Sequence, residues 1–133
     1  MRKTKLLNRD LSYLVSDMGH FDRLAIGDAG LPVPREVPKV DLAVCPGVPS
    51  FLEVLGAVLD ETQVQRAVIA SEMEQANPGL YKALRSLLQE KEIAVDLVPH
   101  ERFKQELAGC KAVVRTGECT PFANVILESG VTF

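Results

Sequence analysis

The chain has 133 residues, 47% hydrophobic and 25% charged, with a formal net charge of −3, the ordinary mix of one soluble globular domain that buries most of its unfolded surface. No basic run or aromatic-interleaved basic stripe invites a polyanion, so nucleic-acid binding is not expected. No apolar stretch approaches the roughly 20 residues of a membrane span.

The N-terminal Met1-Arg2-Lys3-Thr4-Lys5 is positive but runs into no apolar signal core, so a cytoplasmic location is expected. Asn8 is placed to cap a helix over 9–18, in which Leu11, Leu14, Val15 and Met18 share one face and Gly19 supplies the stop. Leu24–Gly27 reads as a short apolar strand running into Asp28-Ala29-Gly30 and the stiff Leu31-Pro32-Val33-Pro34. A second strand is predicted over 40–44. Ser50 and Glu53 form a capping box that opens a helix over 51–59. Val64–Ala70 reads as a buried strand. Asn77-Pro78 supplies a cap and a first-turn proline for a helix to Glu90. Ile93–Val98 is a strand closed by Pro99-His100, followed by a short helix over 101–108. Strands are predicted at 112–115 and 124–127, with Thr116-Gly117-Glu118 after the first of them.

Strands and helices alternate along the whole chain, and no linker or repeat interrupts them. The expected fold is α/β: a single domain over 1–133, with a mixed, mainly parallel sheet and helices on both faces. In such sheets ligands bind outside the carboxyl ends of the strands. Asp28, His100 and Thr116-Gly117-Glu118 fall at such ends, and His20 follows the first helix. Each has an ordinary structural reading beside the functional one: a junction histidine is usually a surface or capping residue, and an Asp before Ala-Gly is a common turn former. The phosphate-loop, dinucleotide-binding and nucleophile-elbow patterns are absent. Two histidines and three cysteines without a paired spacing make a zinc site or disulfide framework unexpected, and Cys45, Cys110 and Cys119 read as small buried hydrophobes. Acid–base work without cofactor or metal, or plain binding, remains. Histidine suits acid–base work because its ordinary pKa lies near neutrality.

Four segments carry a family resemblance. Gly19-His20-Phe21-Asp22, Gly27-Asp28-Ala29-Gly30-Leu31-Pro32-Val33-Pro34 and Gly47-Val48-Pro49-Ser50-Phe51 resemble the N-terminal half of the D-ribose pyranase family. Arg115-Thr116-Gly117-Glu118-Cys119-Thr120-Pro121-Phe122-Ala123-Asn124, continuing to Gly130-Val131-Thr132-Phe133, resembles its C-terminal signature. The Asp28-Ala29-Gly30-Leu31-Pro32 run departs from the related fucose mutarotases and favours D-ribose. The resemblance implies that His20 is the proton donor and that Asp28, His100, Phe122 and Asn124 bind the sugar; for the mechanism, Asp28 is also expected to help orient His20. It further implies a ring-shaped homodecamer with sites between neighbouring subunits. Phe122 stands where the family has Tyr, so one hydroxyl contact is missing. The competing expectations are a non-catalytic ribose-binding accessory of an uptake system and a plain oligomeric scaffold.

Overall fold

A computed structural model describes residues 1–133. Six strands form one sheet in the order β2-β5-β1-β6-β3-β4. They are β1 (Arg23–Gly27), β2 (Lys39–Asp41), β3 (Val64–Ala70), β4 (Ala94–Val98), β5 (Ala112–Arg115) and β6 (Val125–Ser129). Neighbours pair in parallel except around β6, which lies antiparallel between β1 and β3. The sheet is therefore mixed and mainly parallel, as the alternation of elements predicts.

Period-two alternation sorts the strand residues between two cores. Leu24, Ile26, Ala67, Ile69, Ala112, Val114, Val125 and Leu127 face one side. There they meet Leu11 and Leu14 of α1 (Arg9–Asp17), Phe51, Val54, Leu55 and Val58 of α2 (Phe51–Leu59), and Leu84 and Leu88 of α4 (Pro78–Glu90). Ala25, Val68, Val113 and Ile126 face the other side, against Phe103 of α5 (His100–Glu106), Leu107 of the 3-10 turn Leu107–Gly109, and Leu31 and Val37. Full burial of a Leu or Phe contributes about 1.5–3 kcal/mol each. Helices thus cover both faces.

The caps hold in part. Asn8 accepts from Leu11 N at 3.0 Å, and the Ser50–Glu53 capping box is complete. Several boundaries differ from the sequence reading. The second strand ends at Asp41, because Val44 and Val48 instead close a turn of their own (Val44 N to Val48 O, 2.9 Å). A four-residue helix, α3 (Met73–Ala76), precedes α4; its Met73 is fully buried, but four residues show no periodicity to read. Asn77 does not cap α4: its amide donates across the fold to Thr120 Oγ1 (2.9 Å) and Pro121 O (3.0 Å). Gly19 is no left-handed stop; α1 ends on an extended Met18, and Asp22 takes the Gly19 N–H at 2.8 Å. Only Cys110 of the cysteines is buried, where loss of water pushes its thiol up to about 12; Cys45 and Cys119 are exposed on loops.

Candidate active site

Because β1, β3, β4 and β5 run in parallel, their carboxyl ends open on one edge of the sheet. β1 and β3 send their chains to opposite sides of the sheet, so this edge holds the switch point at which α/β sheets bind ligands. The loop before β6 crosses that point and brings Phe122 and Asn124 to it.

Asp28 leaves β1 there. Asn124, fully buried, grips it from both ends: Oδ1 accepts from Asp28 N at 2.8 Å, and Nδ2 donates to Asp28 Oδ2 at 2.9 Å. Gly30 N donates to Asp28 Oδ1 at 2.9 Å. Each carboxylate oxygen keeps a free lone pair for a further donor. The next residue is clamped as well: Ala29 N donates to Glu118 O at 2.8 Å, and Ala29 O accepts from Arg115 Nε at 2.9 Å. Thr116 joins the ends of β1 and β5, donating to Gly27 O at 2.8 Å and accepting from Glu118 N at 3.1 Å. Glu118 reaches the start of α2, accepting from Phe51 N at 3.1 Å. Two glycines make this closeness possible. A Cβ on Gly27 would lie 2.8 Å from Asn124 Oδ1, and one on Gly117 would lie 2.4 Å from the Val48 backbone.

His100 starts α5 just beyond β4. Its N–H donates to the Glu72 carboxylate at 2.8 Å, and its ring meets the Phe122 ring edge-on with centroids 5.0 Å apart. His100 Nδ1 is buried without a partner. Phe122 has φ +56°, a left-handed conformation that costs a bulky residue about 1–3 kcal/mol. Such outliers concentrate where a chain is held for function. Asn124 N donates to Phe122 O at 2.8 Å, so the backbone links the Asp28–Asn124 pair to the Phe122–His100 ring pair. Asn124, however, spends its amide on Asp28 and has no face open to solvent.

His20 is elsewhere. It precedes β1 where Asp28 follows it, and the intervening five residues extend about 17 Å at roughly 3.3 Å per residue. The expected orientation of His20 by Asp28 does not occur within one chain. His20 is exposed at the opposite sheet edge, beside a hollow of about 460 Å³ bordered by Met18, Gln63 and the C-terminal Gly130–Phe133. Its ring stacks on Phe21 (centroids 3.7 Å apart), whose φ is +70°. His20 Nε2 lies 3.1 Å from Gln65 Oε1. Gln65 Nε2 donates to Glu128 Oε1 at 3.0 Å.

Glu128 is the hub of that edge. Arg23 Nη2 and Arg66 Nη2 each approach its Oε2 at 2.9 Å. Burial works against the charge, but the hydrogen bonds from Arg66, Gln65 and Arg23 outweigh it and hold the carboxyl at about 2. Sequence reading missed this group. Its signal is a pairing register, Arg23 opposite Glu128 and Arg66 opposite Glu128, which appears only once β6 is inserted between β1 and β3.

Comparison with known proteins identifies the family. A profile of the RbsD / FucU transport protein family matches residues 1–132. The chain belongs to that family. It is 53% identical to the D-ribose pyranases of Lactiplantibacillus plantarum and Enterococcus faecalis, across the whole of each chain. The structure of Bacillus subtilis RbsD complexed with D-ribose superposes with a TM-score of 0.95 at 41% identity, covering all of both chains. The fucose mutarotase of Streptococcus pneumoniae in complex with L-fucose shares the fold, with a TM-score of 0.81 at 22% identity over 95% of this chain and 94% of its own.

Proposed function

We propose that this protein is a D-ribose pyranase, interconverting the pyranose and furanose forms of free ribose. The observation that carries the reading is full-length identity of about one half to proteins of that name, joined to a cluster of hydroxyl-binding groups at the sheet's ligand edge. Ring opening takes a proton from the anomeric hydroxyl and gives one to the ring oxygen; closure repeats the exchange with a different hydroxyl attacking. No electrons move. A positioned proton-transfer group contributes about 10²–10⁴-fold to such a step. In this reading His20 is the proton donor. Asp28 accepts from sugar hydroxyls through its free lone pairs, the His100 ring borders the sugar, and the Phe122 ring lies against the sugar's C–H face. Asn124 serves by holding Asp28.

His20 and Asp28 belong to opposite sheet edges, so one chain cannot bring both to one sugar. The site is completed by a neighbouring copy, and a closed ring of subunits, ten in the form the family resemblance implies, supplies every chain with a neighbour. The exposed thiols Cys45 and Cys119 suit the reducing cytoplasm as the compartment.

Saturation-transfer NMR of ribose, with and without the protein, tests the activity; binding without faster exchange would identify an accessory binder instead. Mixed assemblies test the shared site. His20→Ala and Asp28→Asn should each be inactive alone. Co-assembled in equal amounts, they should regain about a quarter of wild-type exchange, because a site drawing on two independent copies is intact in about one half times one half of cases. No regain in verified mixed assemblies would place both residues in a site within one chain.

A further inference from the structure

We infer that Gln65 is a positioning residue that fixes the tautomer of His20, keeping the proton on Nε2 and leaving Nδ1 to exchange protons with the sugar. The inference rests on His20 being the proton donor. It follows from which groups can donate. Glu128, held ionised among Arg23, Arg66 and Gln65, can only accept. The end of Gln65 that faces it at 3.0 Å must therefore be the NH₂ group. That turns the Gln65 carbonyl oxygen toward His20, 3.1 Å from Nε2. A carbonyl oxygen only accepts, so Nε2 carries a hydrogen in the neutral ring as well as in the charged one. Nδ1 is then the ring nitrogen that gains and loses a proton. An outer partner that fixes ring orientation and tautomer acts in the same way at metal-bound histidines, where its loss costs about 10–100-fold.

The backbone is shaped to hold Gln65 there. β3 and β6 pair Val64 with Ser129 and Arg66 with Glu128, two steps on β3 against one on β6, so Gln65 is the extra residue of a β-bulge. Bulges re-aim a side chain out of the strand's alternation and are over-represented beside active sites. Gly130 lets the next turn of chain come close: a Cβ there would lie 3.3 Å from Gln65 Cβ, and Gly130 N donates to Gln63 O at 2.9 Å. Phe21, stacked on the face of the imidazole, completes the support.

Nitrogen-15 NMR of the assembled protein, labelled at histidine, reads the tautomer directly, with His20→Asn assigning the two ring systems. We expect neutral wild-type His20 to be protonated at Nε2, and Gln65→Leu to show a mixture of tautomers. The saturated exchange rate of Gln65→Leu should fall about tenfold, with apparent ribose affinity within about twofold because Gln65 stands behind the histidine and away from the sugar. A wild-type ring protonated at Nδ1, or a Gln65→Leu protein that assembles and turns over at the wild-type rate, overturns the inference. Should Gln65→Leu fail to assemble, the wild-type tautomer alone decides. Undiminished exchange in His20→Asn would instead refute His20 as proton donor, whatever its tautomer.

Discussion

Asn124→Ala is the perturbation that separates a residue holding Asp28 from one that touches sugar. The substitution removes two hydrogen bonds, Asp28 N to Oδ1 at 2.8 Å and Nδ2 to Asp28 Oδ2 at 2.9 Å, at a fully buried position. The first is neutral, worth about 0.5–1.5 kcal/mol net, and the second involves an ionised acceptor, worth about 1.5–3 kcal/mol. The Asp28 N–H is also left without a partner where water has little access. Together these give a destabilisation of about 3 kcal/mol, measured by urea unfolding at one fixed protein concentration, since assembly contributes to apparent stability. Calorimetric titration should show ribose affinity lowered about 10–100-fold, the loss of one well-aimed charge-assisted hydrogen bond once Asp28 is free to swing. Asn124→Asp sharpens the test. It keeps an oxygen for Asp28 N but sets a second carboxyl group against Asp28 Oδ2 in place of the amide donor, so ribose affinity at neutral pH should again fall below wild type. Wild-type stability and affinity in an assembled Asn124→Ala protein would refute the reasoning.

Two further predictions concern the sheet's other edge and the one departure from the family pattern. Glu128 has a folded pKa of about 2 against an ordinary 4.5, so its ionised form stabilises the fold by about 3 kcal/mol above pH 5, at about 1.4 kcal/mol for each tenfold change in proton affinity, and that contribution fades as pH falls from about 5 toward 2. Glu128→Gln should lower stability at neutral pH and flatten the acid limb of the unfolding free energy; an unchanged acid limb counts against Glu128 as its source. Phe122→Tyr adds a hydroxyl to the ring that borders His100, and ribose affinity should rise by up to about tenfold if it meets a sugar hydroxyl. Unchanged or weaker binding in the titration would show that this ring does not face the sugar's hydroxyls.

Local signals carried much of the fold. The Asn8 cap, the Ser50–Glu53 box and the apolar runs of β1, β3 and β5 were legible because each depends on residues a few positions apart. Asp28 and His100 were legible as strand-end residues for the same reason. Whatever depended on pairing was not. β6 reads as any short apolar strand, and nothing local says that it runs antiparallel through the middle of the sheet. That one placement lays Glu128 between Arg23 and Arg66, makes Gln65 a bulge, and brings Asn124 under Asp28. It also sets His20 and Asp28 at opposite edges, a separation that their closeness in sequence conceals.

The two edges hold their groups by different physics. Around Asp28 the restraint is mostly neutral: backbone bonds to Ala29, the buried Asn124 amide, and glycines whose missing Cβ atoms permit the approach. In that cradle the Asp28 carboxylate keeps lone pairs free for a further donor, while Arg115 and Glu118 beside it are tied to backbone groups. Around His20 the restraint descends from a buried charge, through Glu128 and then Gln65. That carboxylate also ties three strands together through Arg23 and Arg66. Stability and proton chemistry are thereby coupled at one edge and separable at the other. Any change that neutralises Glu128 loosens the sheet and the histidine together, whereas the cost at the Asp28 edge falls on the buried Asn124 that holds the carboxylate. On the proposed reading, a reaction that already proceeds slowly in water gains from this arrangement, because it asks of the protein only that two sets of groups, one on each of two chains, be held still.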